Sequence, residues 1–149
     1  MKINPWFAAL ALIAVAPFAS AKPCSVAIEG NDQMQFNLKE IKIAADCTEV
    51  EVTLKHAGKF PAAAMGHNWV LAKTEDLQAI VNAGSTAGLP NNYLPKGDAR
   101  ILASTKIIGG GESTSVKFNT SKLTKGGDYS FFCSFPGHWA IMHGKFLFG

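Results

Sequence analysis

Apolar and polar residues alternate strictly in two segments of this sequence. In residues 49–56 every second side chain is aliphatic until the run ends at His56, and the residues between are charged or polar. Residues 114–119 repeat the pattern, with Val116 and Phe118 on the apolar side. Such alternation is typical of a β-strand with one buried face. We therefore predict a strand in each segment.

Six further segments are rich in β-branched, aliphatic or aromatic residues and are bounded by turn signals. The clearest of these signals are the glycine runs at residues 109–111 and 126–127, which are typical of turns between strands. The additional predicted strands are residues 25–29, 41–44, 69–72, 101–108, 129–133 and 145–148.

One segment has a helical pattern instead. Leu77, Ile80 and Val81 are spaced at i, i+3 and i+4, and Gly84 follows as a terminator. Thr74 is a candidate N-cap, and the two acidic residues after it suit the positive end of a helix dipole. The chain is therefore predicted to be all-β, a sandwich of about eight strands with one short inserted helix.

Composition agrees with a single compact domain. The chain has 149 residues, of which 48% are hydrophobic and 17% charged, which is typical of a globular protein. The formal net charge is only +3, and no run of five like charges occurs. We therefore expect no binding to nucleic acid.

The first 21 residues are predicted to be a signal peptide. Lys2 is followed by an apolar stretch over residues 6–18, and residues 19–21 form a small-x-small cleavage site. A membrane anchor is the alternative, but it needs about 20 apolar residues, and Pro17 interrupts a shorter stretch. We expect an exported protein without a membrane anchor in its mature form, with residues 22–149 as one domain.

Export affects the interpretation of the three cysteines. In an oxidising compartment, paired cysteines form disulfides, and Cys24 and Cys47 lie close together near the mature N-terminus. We predict a bond between them. Cys133 is then a free thiol, and its sequence neighbours suggest a reason.

Cys133, His138 and Met142 follow one another with Cys-x4-His-x3-Met spacing, and His67 lies upstream before a predicted strand. Taken singly, the Cys and the Met are each more typical of a core side chain. Two imidazoles, one thiolate and a weak thioether are together the ligands of a blue-copper electron-transfer site. We therefore predict that the chain binds one copper ion and carries single electrons.

Other functions were compared with this one. Copper storage or delivery uses similar soft ligands but favours an exposed site, and a structural zinc ion can also bind Cys and two His. An oxidase or reductase needs further histidine-rich centres, whereas only His56 and His143 are unassigned. We therefore predict that the protein is not an enzyme. His56 continues an inward-facing row and is expected to be buried and hydrogen-bonded.

The sequence resembles the azurins, a family of cupredoxins in bacterial electron transport. The segments Met65-Gly66-His67-Asn68-Trp69-Val70-Leu71 and Phe131-Phe132-Cys133-Ser134-Phe135-Pro136-Gly137-His138 carry the resemblance. It implies an eight-stranded Greek-key sandwich with a helical flap, a Cys24–Cys47 disulfide and a periplasmic location. It also implies electron exchange with c-type cytochromes and nitrite reductase. We expect the protein to be a monomer.

The resemblance also implies roles for individual residues. His67, Cys133 and His138 would be strong in-plane ligands, Met142 a long axial ligand, and the carbonyl of Gly66 would approach from the opposite side. Around these ligands, Asn68 would tie the two ligand loops together, and backbone N–H groups near Phe135 would bond the thiolate.

A surface near the site is expected to receive redox partners. Trp139 and Ile141 are bulkier than is common in the family, and His143 stands where a Lys is expected. We expect these differences to leave copper binding intact, because none of them is at a ligand, and to affect the choice of partner. We define a docking patch around the edge of the His138 ring that consists of Phe60, Met65, Phe135, Pro136, Trp139 and Ala140.

Overall fold

The computed structural model describes residues 24–149, so the predicted signal peptide lies outside the described residues. This part of the chain forms eight strands in two sheets, which confirms the predicted all-β Greek-key sandwich. The strands are β1 (Ser25–Gly30), β2 (Glu40–Ile43), β3 (Glu49–His56), β4 (Val70–Lys73), β5 (Ala103–Ser104), β6 (Ser113–Asn119), β7 (Tyr129–Phe132) and β8 (His143–Phe148).

The smaller sheet has the order β1-β3-β6, and the larger has the order β2-β8-β7-β4-β5. β1 runs parallel to β3, and β2 runs parallel to β8, while the other neighbours are antiparallel. The ends of β1 and β3 lie side by side, because Gly30 pairs with His56. These ends contribute to the pole of the sandwich where the candidate site lies.

The core lies between the two sheets and is centred on Trp69, which is completely buried. Its ring centroid lies 6.0–6.2 Å from those of Phe118, Phe131 and Phe146. Burying aromatic rings of this size is a large share of the stability of a small domain. The alternation in β3 places three aliphatic side chains in this core at 0% exposure, as predicted.

Two α-helices accompany the strands, α1 (Ala62–Met65) and α2 (Leu77–Gly84). The sequence predicts α2, whereas the single turn of α1 was not predicted. Because α2 covers the outer face of the larger sheet, all four residues of β7 are buried. The residues packed between α2 and this face form a second apolar cluster, here called the flap cluster. It consists of Val70, Ala72, Ile80, Val81, Leu94 and Phe132.

The predicted N-cap of this helix is wrong. Thr74 begins a 3₁₀ turn, and its hydroxyl bonds Asp128 and Ser130 at 2.8 Å each instead of capping α2. Asp76, directly before α2, makes no side-chain cap hydrogen bond either. The hydroxyl of Thr74 thus joins the flap to β7, a tertiary contact that a local capping rule does not anticipate.

The predicted strand over residues 101–108 is much shorter in the structure. Only Ala103–Ser104 pairs with β4 as a strand, although the N–H groups of Leu102 and Thr105 on either side still donate to Leu71 and Trp69. Ile101 packs on the flap cluster, and Ile108 makes an isolated bridge with His67. The residues beyond β5 therefore serve to hold His67 rather than to extend the sheet.

The Cys24–Cys47 disulfide is present, with the two Cα atoms 5.7 Å apart, and Cys133 is a buried free thiol. Both findings confirm the predicted use of the cysteines. Across the described part of the chain, none of the helices has the length and apolar character needed to span a bilayer.

Candidate metal centre

Cys133, His138 and Met142 lie on a loop that joins β7 to β8. Cys133 directly follows β7 and Met142 directly precedes β8, and the backbone N–H of Cys133 donates to the carbonyl of Met142 at 3.0 Å. Gly137 turns the chain at φ +81°, in the left-handed region that suits glycine. His138 then begins a 3₁₀ turn that ends at Ala140. The loop is thereby closed at its base and turns all three side chains inward.

His67 reaches the same place from the segment between α1 and β4. Its backbone is fixed by two hydrogen bonds with Ile108, of 3.0 and 2.9 Å. Its ring Nε2 lies 2.8 Å from the carbonyl oxygen of Asn31. Since a carbonyl only accepts, Nε2 carries the proton, and Nδ1 keeps its lone pair free to bind a metal.

The donor atoms of these loops converge. Cys133 Sγ lies 3.7 Å from His138 Nδ1, 4.0 Å from His67 Nδ1 and 3.8 Å from the Gly66 carbonyl oxygen. One metal ion with metal–nitrogen and metal–sulfur bonds of about 2.0 and 2.3 Å would hold its donors about 3.5 to 3.7 Å apart. Within residues 24–149, this is the one group of His, Cys, Asp or Glu side chains placed to hold a metal.

Met142 is also completely buried at this point. A Cβ atom built on Gly30 would lie 2.7 Å from its terminal methyl carbon, Cε, and 2.8 Å from His67 Cδ2. The thioether methyl and the His67 ring therefore meet at Gly30. The structure thus brings together all four side chains of the predicted ligand set.

The environment keeps these donors neutral when no cation is bound. Burial raises the pKa of the Cys133 thiol to about 11, partly offset by hydrogen bonds from the backbones of Asn68 and Phe135. Burial and the nearby imidazoles of His67 and His56 lower the pKa of His138 to about 4. Burial also lowers the pKa of His67. A bound cation would stabilise the thiolate, and the imidazoles present lone pairs instead of charges.

Comparison with known proteins agrees with this donor set. Residues 22–148 match the model of the copper-binding proteins of the plastocyanin/azurin family. The chain belongs to this family.

Similar proteins span most of the domain. The azurin of Bordetella pertussis is 57% identical over 129 residues, which cover 87% of this chain and 85% of that protein. The azurin of Alcaligenes faecalis is 55% identical over 126 residues, which cover 85% of this chain and 98% of that protein. A solved azurin (Az-iso2) from Methylomonas sp. strain J superposes with a TM-score of 0.82 at 43% identity, covering 85% of this chain and 98% of that chain.

Family membership and the His67–Cys133–His138 cluster identify the cofactor as one copper ion, and the protein as a blue-copper protein. The residues fit such an ion. Soft sulfur donors suit Cu(I), and imidazoles also suit Cu(II). All the side-chain donors are at least 97% buried, since His138 is 3% exposed and the others 0%.

Asn68 joins the two ligand-bearing segments of this copper site. Its side-chain oxygen accepts from the backbone N–H of Ser134, and its amide group donates to the Ser134 hydroxyl, both at 2.8 Å. The Ser134 hydroxyl in turn donates to the carbonyl of Asn92 at 2.7 Å. The segment that carries His67 is thereby fastened to the segment that carries Cys133, as expected for residues around a metal centre.

His56 is buried and hydrogen-bonded, as predicted. Its Nδ1 accepts from the N–H of Gly58 at 3.0 Å, so its Nε2 carries the proton and donates to the carbonyl of Met65 at 2.8 Å. Its ring stacks on that of His67, with centroids 4.2 Å apart and planes 14° from parallel. Both nitrogens are engaged elsewhere, so His56 supports the ring of His67 from behind and is not placed to bind copper.

The residues of the predicted docking patch flank the copper site on two segments. Phe60, Pro136 and Ala140 are exposed, and the other three are half-buried. The Phe135 ring packs against His138, with centroids 4.6 Å apart. Trp139 also packs on the flap cluster, so part of its surface is unavailable to a partner.

Ile141, at 50% exposure, adds an apolar side chain beside the docking patch. Residues 60–65 and 135–142 contain no Asp, Glu, Lys or Arg. These two segments therefore form an apolar surface with no charged side chains of their own. Lys59 and His143 stand at its borders, and Lys39 Nζ donates to the carbonyl of Ile141 at 3.2 Å.

The sequence did not reveal the segment Gly30–Asn31–Asp32. Asn31 accepts from His67, and the carboxylate of Asp32 accepts from the backbone N–H of Lys59 at 2.8 Å. These contacts fasten the end of β1 to the loops that carry His67. Asn31 contacts His67 through its backbone carbonyl, which every residue type has. The identity of residue 31 therefore does not reveal this contact in the sequence. The glycine at the end of the strand is the one available hint.

Proposed function

We propose that this protein is a carrier of single electrons between redox proteins and does not catalyse a reaction of its own. The observation that supports this is the burial of two imidazoles, one thiol and one thioether around a common point, each held by its surroundings. Copper bound there would supply the chemistry by alternating between Cu(I) and Cu(II). A rigid, mixed hard and soft donor set needs little rearrangement when an electron arrives.

In this proposal His67, Cys133 and His138 would be the strong ligands and Met142 would be the weak axial ligand. Gly66 would contribute its carbonyl oxygen, which lies 3.8 Å from Cys133 Sγ. A side chain at Gly66 would collide with the Ala62 carbonyl, 2.4 Å from a Cβ built there. The absent side chain thus allows the close packing of this residue against α1 that places its carbonyl beside Cys133.

The neighbouring residues keep the ligands in place as the charge of the ion changes. Asn31 holds the tautomer of His67, His56 packs behind its ring, and Asn68 fastens the two loops. The backbones of Asn68 and Phe135 stabilise a negative sulfur through hydrogen bonds. These contacts fix the site before the metal binds, which favours fast transfer with small structural change.

Electrons would enter and leave at the ring of His138 through the docking patch. His138 is the ligand with measurable exposure, and the apolar residues around it carry no charge that a partner must desolvate. Small apolar surfaces suit brief encounters with several partners. We propose c-type cytochromes and nitrite reductase as partners, with the protein acting as a monomer.

The periplasm is the proposed location, reached through a signal peptide over residues 1–21. The Cys24–Cys47 disulfide supports an oxidising compartment. Copper delivery, the alternative role, is less well supported, since a completely buried Cys133 does not favour exchange of the ion.

Absorption spectroscopy tests the ligand set. The oxidised copper-loaded protein should be intensely blue because of charge transfer from the Cys133 thiolate, and Cys133→Ser should lose the colour and keep the sheet signal in circular dichroism. A colourless copper-loaded wild type would overturn the proposed site. If the site binds zinc instead, the same measurement gives a colourless protein that contains zinc and no copper.

Stopped-flow mixing with a reduced c-type cytochrome tests the electron carrier and its docking patch. Ala140→Asp places a charge beside His138 without removing packing, and the second-order rate should fall at least tenfold. Ala45→Asp is the matched control, because Ala45 is also exposed and follows β2 at the other end of the larger sheet. Equal losses in both variants would show that transfer does not use the docking patch.

A further inference from the structure

Gly30 is the last residue of β1 and is buried at the copper-site end of the smaller sheet. It lies in a regular strand, paired with His56, and its φ is not in the left-handed region. Alanine could adopt the same backbone conformation. A requirement for glycine at this position must therefore come from space and not from backbone freedom.

The space in question is occupied by two of the proposed ligands. A Cβ at residue 30 would lie 2.7 Å from Met142 Cε, 2.8 Å from His67 Cδ2 and 3.3 Å from His67 Cγ. Contacts under 3.0 Å are essentially never found for a Cβ atom. An added methyl group would therefore force both side chains to give way, because Met142 Cε and His67 Cδ2 would each lie within 3.0 Å of it.

The two neighbours differ in how easily they can move. The His67 ring is held by the hydrogen bond to Asn31 at 2.8 Å and by the parallel ring of His56 at 4.2 Å. The contacting atom of Met142 is the end of a flexible, unbranched side chain. A methyl group on residue 30 should therefore displace the Met142 thioether most, while the imidazole shifts only as far as its own 2.8 Å contact requires.

We propose that Gly30 is a positioning residue of the copper site, whose missing side chain provides the room that lets the Met142 thioether lie against the His67 ring. This inference rests on the proposed ligand set, in which Met142 is the axial ligand. A weak axial donor tunes the reduction potential more than it holds the metal. Gly30 would thus set the potential without touching the ion.

The first test is the reduction potential of Gly30→Ala, measured by spectroelectrochemistry together with the electron paramagnetic resonance spectrum. We expect the variant to bind copper and stay blue, with a potential raised in the same direction as in Met142→Leu. Both changes weaken an axial donor that stabilises Cu(II). A potential equal to that of the wild type would overturn the proposal.

Gly127→Ala is the matched control for crowding in general. A Cβ at Gly127 would meet the Tyr129 ring at 2.5 Å, at the end of β7 away from Cys133. This variant should lower the melting temperature and leave both the potential and the resonance spectrum unchanged. If it shifts the potential as much as Gly30→Ala does, the effect is one of general strain and the proposal fails.

A double-mutant cycle separates the proposed mechanism from a backbone effect. In a Met142→Ala background the thioether is absent, so adding Gly30→Ala should shift the potential little further. The double variant should also fold and bind copper even if Gly30→Ala alone does not, since the terminal methyl group of Met142 is gone and only the 2.8 Å contact with His67 Cδ2 has to be relieved. An equal shift in both backgrounds, or a double variant that fails to fold, would overturn the proposal.

Met142→Leu distinguishes a failure of this inference from a failure of the ligand set. If Met142→Leu loses copper or leaves the potential unchanged, the axial role of Met142 is wrong. If Met142→Leu raises the potential and Gly30→Ala does not, the ligand set stands and only the role of Gly30 is wrong.

Discussion

At the scale of single residues, the hydrogen bonds between Asn68 and Ser134 connect the two halves of the copper site. Both residues are buried, so a lost partner cannot be replaced freely by water. Asn68→Ala would leave the Ser134 backbone N–H without its acceptor, which costs about 1–3 kcal/mol for a buried group. We expect urea unfolding of the metal-free protein to show a loss of this size.

Ser134→Ala is the control for that prediction. It removes the hydroxyl with its bonds to the Asn68 amide group and the Asn92 carbonyl, but keeps the bond from the backbone N–H of residue 134 to the Asn68 side chain. The Asn68 amide group already lies 3.5 Å from the Asn92 carbonyl and can bond it directly. Its cost should be smaller than that of Asn68→Ala. A metal-free Asn68→Ala protein as stable as the wild type would show that the two loops are held together by packing alone.

The site residues whose side chains have distinctive chemistry could be predicted from the sequence. The spacing of Cys133, His138 and Met142 favours a single loop, and the structure places all three on it. Gly30 and Asn31 could not be predicted in this way. Gly30 acts through the space that its missing Cβ leaves, and Asn31 acts through its backbone carbonyl. Their positions follow from the register of β1 on β3, which the residue types do not specify.

At the scale of elements, the disulfide fixes the start of β1 next to β3. Cys24 directly precedes β1, and its carbonyl accepts from the N–H of Glu51 in β3 at 2.9 Å. Cys47 lies two residues before β3, so the bond closes a loop with a sequence separation of 23. A crosslink over such a loop contributes about 3 kcal/mol, chiefly by restricting the unfolded chain.

Replacing both cysteines in Cys24→Ala/Cys47→Ala should therefore lower the free energy of unfolding by about 3 kcal/mol in guanidinium titrations. The blue absorption should be unchanged, because the bond lies at the opposite end of β1 from Gly30 and the copper site. An altered absorption band would contradict this independence and would mean that the disulfide also positions the ligands.

Alternation made β3 and β6 predictable, because their two faces meet different surroundings. The fully buried β7 was predictable from its aromatic residues instead. The short β5 and the misplaced N-cap at Thr74 were missed for a common reason. In both cases a tertiary contact overrides the local pattern, through the bridge of Ile108 to His67 and the bonds of Thr74 to Asp128 and Ser130. Local rules do not include such partners.

At the scale of the whole molecule, the apolar core and the disulfide are independent of copper. Trp69 and its aromatic neighbours lie between the sheets, and the ligands are held by protein contacts alone. We expect the metal-free protein to give the same sheet signal in circular dichroism as the copper-bound protein. Copper should raise the melting temperature, since it binds the folded state more tightly. A metal-free protein without sheet signal would contradict this.

The metal-free molecule should lose stability as the pH falls from about 6.5 towards 4. In the unfolded chain His138 has an ordinary pKa near 6.5, whereas in the folded protein burial lowers its pKa to about 4. Above pH 6.5 the imidazole is neutral in both states, and its protonation does not lower the free energy of unfolding. Between pH 6.5 and 4 the imidazole binds a proton in the unfolded chain but not in the folded protein. The free energy of unfolding therefore falls by at most about 1.4 kcal/mol per pH unit for this group.

Below a pH of about 4, His138 is protonated in both states, and its contribution to the slope ends. His67, whose pKa is also lowered, adds to the loss in the same direction. The measurement is urea unfolding of the metal-free protein at a series of pH values, compared with metal-free His138→Gln. The variant lacks the titrating ring, so its stability should fall less steeply over this window. If the free energy of unfolding falls equally steeply with pH in the two proteins, His138 is protonated as easily in the folded protein as in the unfolded chain. Its imidazole would then not be kept neutral for copper binding.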